Sequence, residues 1–238
     1  MGTDKEDYVT LNERISRKTG GIFVQTSTGV CADGETPGAW LFLRGKALVR
    51  QVPDLCALLQ DVITGVRLDQ RDRFRQILLE SKARKEAHLI PEGHRFVARR
   101  LKARFHRAHW VEEKMKGIES LYFLRRLVQR MESDWDGVLA DLEEVRRCVL
   151  AFPGLRANVT VDAPSWDKAA ASVEALLSSV PRHAVPPAPW NPDPLPPDEG
   201  FTGPVHVNYV AKGANLREAG FRFRGSALVV SHYLRTAY

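Results

Sequence analysis

Ala39-Trp40-Leu41-Phe42-Leu43-Arg44-Gly45-Lys46-Ala47-Leu48, followed after Pro53 by Leu55, Leu58, Leu59, Val62, Ile63 and Val66, marks where the chain turns from sheet to helix. The first run is short, aromatic and aliphatic, and it enters through the turn formers Pro37-Gly38, as a strand does. In the second, the six apolar residues fall on one stripe at helical spacing. Pro53 suits a first helical turn, where its missing N–H removes no bond. Upstream, Gly20-Gly21 opens another strand, Ile22-Phe23-Val24-Gln25-Thr26, and Val9, Leu11 and Ile15 read as a further extended segment.

Downstream the helical pattern continues. One helix is expected from Asp69 to about His88, with Phe74, Ile77, Leu78 and Ser81 inward, interrupted at Pro91-Glu92-Gly93. Another begins near His94 with Phe96, Val97, Leu101, Phe105 and Ala108 on one side. It resumes through Met115, Ile118, Leu121, Tyr122, Leu124 and Val128, with a bend near Gly117. Together they make a long helical hairpin over about 69–130. Ser133-Asp134 can cap a helix striped by Val138, Leu142, Val145 and Val149, which Pro153-Gly154 ends. Leu155 to Asp162 alternates as a strand should, and Trp166 to Val180 reads as a helix. Residues 183–204 hold eight prolines and no amphipathic period, the composition of a stiff extended linker. Beyond it, Val205 to Val210 reads as a strand, and a helix starts at Ser226 and reaches Tyr238 without a stop signal, as in a fragment. The fold class is α+β: a mainly antiparallel sheet with helices packed on one face.

The 238 residues are 44% hydrophobic and 27% charged, enough for an ordinary core. No apolar run approaches the roughly 20 residues that span a bilayer, and the start, Met1 to Asp7, resembles neither a secretory signal nor an Arg-rich transit peptide. Cys31, Cys56 and Cys148 are odd in number and match no zinc spacing, which reads as reduced and mostly buried thiols. The net charge of +6 is uneven: 18 Lys and Arg against 8 Asp and Glu lie between Val66 and Arg130, so the remainder carries −4. Such a block is either a solvated helical face or a footprint for nucleic acid.

The chemistry-bearing residues are few. His106 and His109 lie three apart with Glu113 four further on, and could share a helical face as zinc ligands, but the surrounding arginines disfavour a cation there. His88, His94, His206 and His232 have no sequence partner. There is no phosphate-cradling glycine loop, Ser226 lacks the Gly-x-Ser-x-Gly elbow, and no carboxylate pair sits in an apolar context. The expected catalytic, metal and cofactor-binding residues are therefore none.

Several stretches resemble one family. Thr19-Gly20-Gly21-Ile22, Gly93-His94, Trp110 to Ile118, Leu121-Tyr122-Phe123-Leu124, Asp134-Trp135, Leu142-Glu143-Glu144-Val145 and Asn158 to Asp162 are similar to the third domain of presequence proteases. Val207 to Leu216, Gly225 to Ser231 and Leu234 to Tyr238 are similar to the opening of the fourth. The resemblance implies an insulinase/pitrilysin-type inverted zincin whose two halves close around a peptide. In that family zinc is held by His-x-x-Glu-His and a downstream Glu in the first domain; this sequence contains no such motif, so zinc belongs to the parent alone and this chain is expected to be inactive by itself. The implied organisation is a third-domain-like, non-catalytic metallopeptidase domain over 1–182, a linker over 183–204, and the first strand and helix of the fourth domain over 205–238. Its implied partners are the parent's other domains and peptide substrates, with no membrane, in a bacterial cytoplasm or an organelle matrix. The alternative is a free-standing basic helical module that binds nucleic acid through residues 66–130. Against it, Phe74, Phe96, Phe105 and Trp110 fall at core spacing rather than in an exposed stacking array.

Overall fold

A computed structural model describes residues 1–32, 36–150, 155–181, 184–185, 190–191, 195–203, 206–222 and 224–236. The chain opens with helix α1 (Tyr8–Lys18), not the extended segment expected. Leu11 and Ile15 lie four apart, the Asp7 carboxylate accepts from the Thr10 N–H at 2.8 Å as an N-cap, and Leu11 is buried. The N-terminus beside it is tied to the body: Asp4 N–H donates to Gly65 O, Arg67 N–H to Gly2 O, and Asp61 receives both Lys5 and Arg14.

Strands β1 (Ile22–Val30) and β2 (Pro37–Gly45) pair antiparallel, with Ile22 opposite Gly45 and Val30 opposite Pro37. Helix α2 (Val52–Gly65) follows, with Pro53 in its first turn and Leu55 and Leu58 buried. The long hairpin is built from four helices rather than two arms. Its arms α3 (Arg71–Leu89) and α6 (Ile118–Ser133) run antiparallel: Arg75 pairs with Glu132 at one end, and Glu86 pairs with Arg125 further along. Between them lie α4 (Gly93–Lys102) and α5 (Arg107–Lys116), and α5 packs against both strands. The break between α4 and α5 is set by His106, whose extended backbone and Nδ1 atom cap the new helix at Ala108 N–H.

Helix α7 (Trp135–Val149) is capped by Asp134, which accepts from Gly137 N–H at 3.0 Å, and α8 (Ala163–Ser179) packs on α2. The most deeply buried apolar side chains are Leu58, Leu121, Met131 and Val138. Residues 155–162 have the alternation of a strand but no ladder partner among the described residues, and they run as irregular chain into α8. The segment 206–210 is likewise not a strand, while α9 (Gly225–Thr236) forms as expected. The expected stop at Pro153-Gly154 lies outside the described residues. No described helix is long and apolar enough to cross a membrane.

Candidate functional site

The most unusual polar group is Glu113, which is 1% exposed. It stands on the last turns of α5, and the chain re-enters helix four residues later at Gly117. Its Oε1 accepts from Ile118 N–H at 2.9 Å and reaches Glu119 N–H at 3.5 Å, so one carboxylate caps the start of α6. A Cβ at Gly117 would collide with that carboxylate, whose Oε2 is buried without a hydrogen-bond partner. The other side of the same joint is cationic. Lys116 O, at the end of α5, accepts from Lys85 Nζ at 2.9 Å and from Arg99 at 3.0 Å, where the helix dipole is negative.

Arg100 joins this node to the rest of the surface. Its guanidinium lies 3.9 Å from Glu113, 3.4 Å from Glu119 and 2.6 Å from Glu199. Burial pushes the Glu113 carboxyl above its ordinary range, against the pull of the Ile118 and Glu119 amides and the neighbouring arginines. Burial, with Arg99 nearby, lowers the Lys85 ammonium. The expectation that no carboxylate sits in a desolvated setting is thus corrected. The Glu112-Glu113-Lys114 run looks solvent-facing, and only the α5–α6 bend turns Glu113 inward. A carboxylate four residues before a glycine that opens a helix was the available signal.

Chemically the node does structural work. Glu113 is closed off by Gly117 and engaged by backbone amides, so it presents no face to a substrate. The histidines do not assemble with it into a ligand set: the His106 and His109 rings are 6.1 Å apart, His106 Nδ1 is taken by Ala108 N–H, and His109 faces Glu112 at 3.7 Å. Among the described residues no group of three or more His, Cys, Asp or Glu is gathered to hold a metal. The cysteines also differ from expectation. All three are free, but only Cys56 is buried; Cys31 is half-buried and Cys148 is exposed beside Glu144.

The basic block is largely neutralised in place. Ten of its 18 cations pair with a carboxylate, among them Arg75 with Glu132, Arg100 with Glu199, and Arg130 with Asp134 and Asp141, whose acids lie outside the block. Phe74, Phe96, Phe105 and Trp110 are all half-buried, and Phe74 stacks against Trp135 with centroids 5.8 Å apart.

Residues 1–127 match the model of the peptidase-associated family that belongs to subfamily C of metallopeptidase family 16. The chain belongs to that family. Along its whole length it is 34% identical to "Presequence protease 1, chloroplastic/mitochondrial" of Arabidopsis thaliana, covering 22% of that relative. It is 24% identical, again along its whole length, to "Protein HypA" of Clostridium perfringens, covering 24% of it. A "Presequence protease, mitochondrial" of Danio rerio is 23% identical over 76% of this chain and 18% of its own. The chain therefore spans less than a quarter of the length of these relatives.

Proposed function

We propose that this chain is a non-catalytic part of a zinc metalloendopeptidase of the presequence-protease kind. Residues 1–182 stand as its third domain, 183–204 as the linker and 205–238 as the opening of the fourth. In that role the chain forms one wall of a closed chamber, limits substrates to peptides by size and supports the fourth domain. The observation that carries this reading is the similarity of the whole chain to a small share of a presequence protease. Uncovered apolar surface supports it too: Phe23, Val24, Trp40 and Leu41 on the hairpin, and Leu228, Val229 and Tyr233 on α9, are all exposed. Apolar patches of this kind mark surfaces that another part of a protein covers.

Zinc is held elsewhere in such a parent, because His106 and Glu113 are committed to caps and, with His109 turned to Glu112, the three do not fit it. The place of action is an organelle matrix for a eukaryotic source, or the cytoplasm for a bacterial one. The internal pairing of the basic block favours a solvated face over a nucleic-acid footprint. It also weakens the repulsion that an Arg-rich presequence would meet.

The test is elemental analysis together with a peptide-cleavage assay on the purified chain. The expected outcome is no stoichiometric zinc and no cleavage. Stoichiometric zinc lost on His106→Ala or His109→Ala, with peptide cleavage lost alongside it, would contradict the proposal.

A further inference from the structure

The proline-rich segment does not behave as a free spacer. We propose that residues 195–203 and 206–213 form a strap latched on α4, with Arg100 as the catch, which ties the C-terminal segment to the helical body. Arg100 Nε and Nη2 donate to the two oxygens of Glu199 at 2.6 and 2.7 Å, a parallel pair of charge-assisted bonds. One turn further along the chain, Arg104 donates to Pro197 O, and the Phe201 ring lies 5.8 Å from the Arg100 guanidinium. At the other end of the helix, Tyr209 OH donates to Ile90 O at 2.8 Å, and its ring lies against Gly93 and 6.3 Å from the ring of His94. Any Cβ at Gly93 would strike that ring. The strap then turns back, and Gly213 rests over Leu101 and Phe105.

Two features favour the latch. Arg100 is already oriented by Glu113 and Glu119, so gripping Glu199 costs little further side-chain freedom. Pro196 and Pro197 stiffen the segment, so docking it removes fewer conformations than docking a flexible chain would. Its anchors are spread from Ile90 to Phe105, so the strap is fixed in register rather than at one point. This inference does not rest on the peptidase reading.

The test is limited chymotrypsin digestion of the full chain, followed by mass spectrometry, with cleavage after Phe201 and Tyr209 referred to cleavage after Phe221. The wild type should be cut at Phe201 and Tyr209 more slowly than at Phe221. Glu199→Lys, which places a like charge against Arg100, should raise that ratio about ten-fold, because cleavage of a held segment follows the population of its open form. Arg104→Ala and Tyr209→Ala should each also speed cleavage after Phe201, with the thermal transition of the body retained. Equal wild-type rates at the three sites, or a ratio unmoved by Glu199→Lys, would overturn the latch.

Discussion

At Glu113 the cost of burying a carboxylate meets the benefit of capping a helix. Its folded-state pKa lies above the ordinary 4.5, so the folded protein holds this proton more tightly than the unfolded chain does. The stability from the protonated form is fully present below about pH 4.5 and is lost as pH rises through the raised folded value. Glu113→Gln keeps the acceptor for Ile118 N–H without the charge. It should therefore melt at or above the wild type at pH 8, and the wild type should gain on it as pH falls, read from paired melting curves. Glu113→Ala orphans the Ile118 amide and should cost about 1–3 kcal/mol in denaturant unfolding. Gly117 has an ordinary backbone with φ −86°, so its importance is space, not conformation. Gly117→Ala should destabilise by about 1–3 kcal/mol through crowding, and most of that cost should vanish in the Glu113→Ala background. Equal costs in both backgrounds would show that the two residues do not oppose each other.

Among the elements, those whose signals are local were legible. Helices α2, α7 and α8 carry their stripes, a proline in the first turn or an aspartate cap, and β1 and β2 carry turn formers at their ends. Helix α1 is masked in sequence by the β-branched Val9 and Thr10, although Leu11 and Ile15 already have helical spacing. The strand patterns at 155–162 and 206–210 are genuine in sequence, but a strand needs a partner ladder, and pairing is a non-local property. Burial of Glu113 and docking of the strap are non-local in the same way: Glu199 finds Arg100 across 99 positions of chain. The boundary after α8 carries its own prediction. Removing the residues after Pro181 should leave a soluble core with one cooperative thermal transition, because α8 closes on α2 before the proline-rich stretch begins. Loss of that transition would make the tail an integral part of one domain.

For the molecule as a whole, the accessible surface is 16800 Å², against roughly 10,800 Å² for a compact monomer of this mass. The excess is concentrated where the hairpin and α9 leave large apolar side chains uncovered, and a larger protein folded around them would remove it. The charge is arranged differently. The basic block meets acids contributed by α6, α7 and the strap, so the +10 excess visible in sequence is dissipated by tertiary pairing. The central claim is that this chain acts as one portion of a much longer zinc peptidase. Its most direct test is the mass of the polypeptide that carries the sequence in its source cells, measured with an antibody to the chain, together with chelator-sensitive peptide cleavage by the immunopurified protein. The account predicts a species four to five times 26.8 kDa, since the chain spans 22–24% of the two relatives it matches along its whole length, with cleavage abolished by the chelator. A single species at 26.8 kDa without peptidase activity would contradict it.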